Sequence, residues 1–169
     1  MKRILFSLLI AITTLSLNAQ VNPNAIGIRG GGGLGGSYGG ELTYQKGFGE
    51  ANRLELDFGF RSRRYNGGKG NDWYYNHLSV SAIYHWVFNL SGGLNWYIGP
   101  GGQVGFYDDY YDNNSGISLA LGGQIGLEYD FNEHGVPLLL SLDARPMWDF
   151  VGYYAGFGGG GAFSLRYTF

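Results

Sequence analysis

His77 and Ser79 stand two positions apart in the run Asn76-His77-Leu78-Ser79, and residues i and i+2 of an extended strand share one face. An imidazole beside a hydroxyl is the minimal pair for acyl chemistry, since the ring can take the hydroxyl proton as the oxygen attacks a carbonyl. No third group stands at a fixed spacing to orient that ring, so the two are weak catalytic candidates, with a plain hydrogen-bonded pair as the alternative. The remaining histidines, His85 and His134, form no ligand cluster by spacing, and no metal site is expected. Asp108, Asp109, Asp112, Asn113 and Asn114 offer the hard oxygens that calcium takes, but without the ordered spacing and glycine of a calcium loop they read as a solvated segment. Arg61, Arg63, Arg64 and Lys69, beside Tyr65, Trp73 and Tyr74, make the most suggestive surface stretch, because guanidinium groups grip phosphate bidentately. The chain has no Cys, which excludes a thiol nucleophile, a thiolate metal site and a disulfide framework. No cofactor is implied.

The chain that must position these groups is unusual. Of its 169 residues 32 are Gly and 17% are aromatic, while 14% are charged, against about 25% in an average soluble domain. Disordered chains are poor in aromatics, collagen needs a strict triplet and far more than 4 Pro, and 44% of this chain is hydrophobic. What remains is a folded chain long enough for one domain. A net charge of −2 argues against a nucleic-acid surface, which would be basic overall. The first twenty residues have the three parts of a secretory signal: Lys2 and Arg3, an apolar run over 4–12, and a polar stretch ending Leu17-Asn18-Ala19-Gln20. Cleavage after Ala19 is expected, giving a signal peptide over 1–19 and a mature domain over 20–169. The apolar run is far shorter than the ~20 residues of a spanning helix.

Beyond residue 24 the apolar residues recur every second position, the strand period. Leu54, Leu56, Phe58 and Phe60 fall on one face, with Arg53, Glu55, Asp57 and Arg61 on the other. Leu78, Val80, Ala82, Tyr84 and Trp86 oppose His77, Ser79, Ser81 and His85, and Ile117, Leu119, Leu121, Ile125, Leu127 and Tyr129 oppose Ser118, Gln124 and Glu128. Eight strands are expected near 24–36, 38–47, 52–63, 74–88, 93–107, 116–130, 136–147 and 155–169. Short turns at 47–51, 89–92 and 131–135 alternate with longer segments at 64–73, 108–115 and 148–154, and the first hairpin near Ser37 is tight. Lengths and connections fit an all-β, eight-stranded antiparallel up-and-down transmembrane β-barrel.

A soluble sandwich would alternate too, but the placement of charges and aromatics distinguishes the two. Arg29, Glu41, Arg53, Glu55, Asp57, Arg61, Glu128, Asp143, Arg145 and Arg166 sit opposite the apolar stripe in mid-strand, five positive and five negative. Aromatics collect near strand ends, where a membrane barrel has two interfacial girdles. Tyr38, Tyr65, Trp73, Tyr75, Tyr107, Tyr110 and Trp148 would ring the end with the long loops, and Tyr44, Trp86, Phe88, Trp96, Tyr129, Tyr167 and Phe169 the end with the short turns. The leader, the eight-strand rhythm and the ending Gly161-Ala162-Phe163-Ser164-Leu165-Arg166-Tyr167-Thr168-Phe169 resemble the small outer-membrane β-barrel proteins of the OmpA/OmpX-like type. The resemblance implies a bacterial outer-membrane location. It also implies that Phe163, Leu165, Tyr167 and Phe169 form the signal read by the outer-membrane insertion machinery during assembly. It implies no single activity, because this fold hosts adhesins, lipid-modifying enzymes and proteins of no known activity.

An eight-stranded barrel has an interior that side chains can fill, so the ten charges are expected to pair across a plugged lumen, with a narrow solute channel as the alternative. His77-Leu78-Ser79 resembles the His-x-Ser element of outer-membrane lipid A deacylases, but parity points both side chains into the lumen while a lipid substrate lies outside. The expected protein is therefore not an enzyme. It has a structural or surface-interaction role, with lipid and lipopolysaccharide as partners, phosphate contacts through Arg61, Arg63, Arg64 and Lys69, and a surface protein as a further partner through aromatic loop tips such as Tyr111, Phe150, Tyr153 and Tyr154. Eight of the eleven positions over 30–40 are Gly, and a second cluster covers Gly156 and Gly158 to Gly161. Pairing of the first strand with the last would bring both clusters to one closing seam, serving closure or, alternatively, a lateral crevice for a lipid chain.

Overall fold

Period-two alternation rich in β-branched and aromatic residues commits this chain to strands, and in the computed structural model eight of them close into a barrel. The structure describes residues 21–33, 37–66, 72–109, 114–151 and 155–169; the expected signal peptide lies outside them. The strands are β1 (Asn24–Gly33), β2 (Ser37–Phe48), β3 (Asn52–Asn66), β4 (Asp72–Ser91), β5 (Leu94–Asp109), β6 (Asn114–Asp130), β7 (Leu138–Val151) and β8 (Gly156–Thr168). Each pairs antiparallel with its sequence neighbours and β1 pairs with β8, so the closed wall leaves no strand edge unpaired. Tight turns close one end, where Gly49, Gly92 and Gly135 take the left-handed backbone at φ 69°, 53° and 75°. The third of these turns contains a single 3-10 turn, Phe131–His134, capped by the Asp130 side chain, which accepts from the Asn132 N–H.

Several features differ from the sequence reading. β4 runs on to Ser91 and β7 to Val151, so 89–91 of the expected turn and 148–151 of the expected loop are strand, and Phe150 stands on β7 and not at a loop tip. The ladder of β3 and β4 also takes in both ends of the expected loop 64–73: Arg64 pairs with Tyr74, Tyr65 with Trp73 and Asn66 with Asp72. Tyr107, placed above in the aromatic girdle, instead turns inward and is buried in the lumen, sharing the face of Asn95 and Tyr97. Its parity decided its side, and its ring lies over Gly116, where a Cβ would meet it. Trp148 does face outward and is 52% exposed; the side chains of Tyr38, Tyr65, Trp73, Tyr75 and Tyr110 lie outside the described residues.

The usual arrangement of a soluble protein is inverted. Ile28, Leu42, Phe58, Val80, Phe106, Leu121, Leu142 and Phe163 are all exposed on the outer wall, while Arg166, Glu55, His85 and Gln124 are sealed inside. At the turn end the wall carries stacked or edge-on rings: Phe88 on Trp96, Tyr84 with Trp86, and Tyr167 on Phe169. Such a surface suits lipid, and a ring of aromatics suits the interface. The two glycine clusters meet on β1 and β8, where Gly31 pairs with Ala162, Gly32 with Gly161 and Gly33 with Gly160. β2 widens the bare area through the pairs Gly39 with Gly31 and Gly40 with Gly30. The wall is tightly coiled here: a Cβ on Gly31 would collide with the Gly161 carbonyl.

Candidate functional site

Among the described residues polar side chains converge in the lumen, and strand register sets their heights. Nearest the turn end, Arg53 of β3 pairs with Glu128 of β6 at 2.6 Å, donates from Nε to Nδ1 of His85 at 3.2 Å, and lies with its guanidinium 4.6 Å from the centre of the Tyr97 ring. Beneath it Val21 packs against Val87 and Tyr97, and the Asn22 amide donates to Asp130 at 2.7 Å, so the residues before β1 fold across the mouth. In the middle, Glu55 accepts from Arg166 at 2.9 Å, from Gln45 at 2.5 Å and from Gln124 at 3.3 Å, while Arg166 also reaches Ser141 and Thr43. Above that lies Arg145 of β7, which binds Asp57 at 2.6 Å, Glu55 at 3.1 Å, Glu41 at 3.2 Å, Gln124 and Ser81. Arg29 bridges Glu41 at 2.6 Å and Asp143 at 2.5 Å. An unpaired buried ion costs several kcal/mol, and here each charge meets its opposite across strands distant in sequence.

Above the Arg145 tier the packing stops. A cavity of about 190 Å³ opens there, floored by Arg29, Glu41 and Arg145, walled by Arg61, His77 and Gln103 on one side and by Met147 and Asp149 on another. The remaining wall is the seam, whose glycines contribute no side chains to fill the space. Ile83, Ala120 and Met147 make a small apolar cluster beside it.

The ten charged residues named from the sequence all take part in these ion pairs. His77 and Ser79 both face inward, but the ring of His77 is held by Ser118 of β6, with Nε2 2.7 Å from Oγ. That bond spans β5 because Gly105 lies between; any Cβ there would strike the imidazole. His85 is buried against Arg53 and Tyr97, and His134 lies in the exposed turn 3.2 Å from the Tyr129 hydroxyl. Among the described residues no group of His, Cys, Asp and Glu could hold a metal ion. Arg61 joins the lumen through Glu41 at 3.5 Å; the side chains of Arg63, Arg64 and Lys69 lie outside the described residues, as do those of Asp109, Asp112, Asn113 and Asn114. Phe163, Leu165, Tyr167 and Phe169 all project outward from the end of the chain. Sequence reasoning missed Ile83, Val87, Tyr97 and Met147 as lumen residues, although strand parity alone places each of them there.

No protein-family model and no curated protein sequence matches the chain. Solved structures do. Neisserial surface protein A superposes with a TM-score of 0.55 over 86% of this chain and 94% of its own, at 13% identity. The fold is that of the small OmpA/OmpX-like outer-membrane barrels. Ail, the attachment invasion locus protein of Yersinia pestis, in complex with the heparin analogue sucrose octasulfate, gives 0.55 over 86% of this chain and 96% of its own, at 18% identity. The outer membrane enzyme PagL gives 0.51 over 86% and 99%, at 13% identity. The same barrel fold serves a surface protein, an attachment protein and an enzyme, so the likeness shows the fold and not the role.

Proposed function

We propose that the protein is an integral barrel of the bacterial outer membrane, non-conducting and non-enzymatic, that acts structurally and through its loop end on surface ligands. The observation that carries this is the inverted polarity together with the lumen: an apolar wall outside, and inside it the tiers around Arg53, Glu55 and Arg145 whose side chains bond across the bore. Ions would have to break several buried pairs to pass. Single-channel recording on the purified, refolded protein tests it. No defined steps are expected, and stable reproducible openings would refute the plug.

Lipopolysaccharide phosphate is the preferred ligand of the loop end, supported by the basic run Arg63, Arg64 and Lys69 beside an aromatic hairpin. Ail, which shares the fold, is recorded with a polysulfated sugar, an anion of related chemistry. Replacing the three cations by Ser should reduce lipopolysaccharide co-purification, and unchanged co-purification removes the assignment. An enzymatic reading draws on the 2.7 Å approach of His77 to Ser118. Those groups face the lumen, however, and an acyl chain lies on the far side of the wall. Identical lipid A acyl composition with and without the protein is the expected result.

A further inference from the structure

We infer that the cavity above the Arg145 tier is a binding site for a small phosphate-type oxyanion, with Arg61 as its anchor. The lumen guanidiniums differ in how far they are neutralised. Arg29, Arg53, Arg145 and Arg166 each lie within 2.9 Å of a carboxylate and are at most 6% exposed. Arg61 is 34% exposed, and among the described residues its acidic contact is Glu41 at 3.5 Å. The other oxygen of Glu41 is already taken by Arg29 at 2.6 Å and Arg145 at 3.2 Å, so Glu41 has little charge left for a third cation. Arg61 therefore presents an under-neutralised fork of donors to a cavity, the condition for gripping an oxyanion.

The geometry around it fits a small ligand. His77 is the direct cross-strand neighbour of Arg61, and Gln103 lines the cavity with it. Asp149 on the β7 wall would accept from a protonated oxygen of the same ligand, as on monobasic phosphate. About 190 Å³ is well below the ~300–1,000 Å³ of a pocket for drug-sized molecules. Its room comes from glycine, and not every glycine is there for the backbone. A Cβ on Gly158, which lines the cavity, would meet nothing within 4 Å, so the wall would tolerate a side chain that the cavity would not. Since the tiers below are closed, the ligand is held at this level. This assignment is independent of the loop cations, which lie on a different part of β3 and beyond it.

Met147 supplies the measurement, because it lines the cavity and the chain's other methionine is Met1. The protein, folded in a non-ionic detergent free of lipopolysaccharide and labelled with ¹³C-methyl methionine, is titrated with inorganic phosphate against chloride at constant ionic strength. A saturable shift of the Met147 methyl is expected, weakened at least tenfold in Arg61→Gln and in Gly158→Val, and kept within twofold in Gly30→Val, whose new side chain would face lipid. Heat-modifiable migration confirms that each variant is folded, and Arg61→Gln carries the test if Gly158→Val does not fold. No saturable shift, a shift that chloride reproduces, or equal binding by the wild type and folded Arg61→Gln would overturn the assignment. So would a loss of binding on replacing Arg63, Arg64 and Lys69 with Arg61 intact.

Discussion

Replacing Arg145 by Met removes the cation that touches most of the lumen while keeping an unbranched stem of similar shape. The cost follows from what each acid has left. Glu41 retains Arg29 at 2.6 Å, and Glu55 retains Arg166 at 2.9 Å. Asp57 loses its cation altogether, keeping a hydroxyl contact from Ser81 at 3.4 Å. One carboxylate stranded in a sealed bore corresponds to the one-partner removal of a buried pair, about 3–5 kcal/mol. Neutralising the stranded acid should recover most of it, so Arg145→Met with Asp57→Asn should lie within about 1–2 kcal/mol of the wild type, as paired removal of a buried ion pair often does. Asp57→Asn alone should be mild, since Arg145 keeps Glu41 and Glu55. The assay is urea-dependent unfolding in lipid vesicles, followed by tryptophan fluorescence and by the shift in gel migration on heating. If Arg145→Met alone falls within about 1 kcal/mol of the wild type, or if the second change brings no recovery, the lumen is not held by charge pairing and the reasoning fails.

Four other substitutions test the wall and its assembly. Phe58→Arg places a guanidinium on the lipid-facing side of β3 and should cost about 2–4 kcal/mol in the same unfolding assay; a neutral result would argue that this face meets water. Gly99→Ala should destabilise by about 1–3 kcal/mol because its Cβ would collide with the Tyr84 carbonyl, whereas Gly30→Ala, with nothing within 4 Å, should be neutral or stabilising by under about 1 kcal/mol. Phe169→Ala should leave vesicle stability within about 0.5 kcal/mol, since the ring is exposed and, among the described residues, stacks on Tyr167, yet lower the amount of folded protein in cells. Equal cellular levels would end the assembly role of the terminal aromatic.

Strand number, order and facing were legible in the sequence because a period of two is a local property: Leu54 to Phe60 announce their faces without reference to anything else in the chain. The same parity would have put Tyr107 in the lumen, and it was misplaced because an aromatic near a strand end also matches a girdle. Partner choice was not legible. Arg145 meets Asp57 across 88 positions and Glu41 across 104, contacts that exist only once closure fixes the stagger of opposite walls. The cavity is harder still to foresee, since it is built from glycines whose vacancy matters only where several face the same space.

The seam is also uneven along its length. Joining β1 to β8 brings together residues such as Ala25 and Thr168 from the two ends of the described chain, so it bears the largest loop-closure entropy of any pairing in the barrel. Its two halves reward that closure unequally. Near the turn end Ile26 lies against Tyr167 and Ile28 against Leu165, and the Phe169 amide donates to the Asn24 carbonyl. Toward the loop end the partners are Gly32 with Gly161 and Gly33 with Gly160, which share ladder bonds and no side-chain contact. The glycine half is therefore held by ladder bonds alone, and amide hydrogen exchange along β1 and β8 is expected to run faster there than beside Ile26 and Ile28.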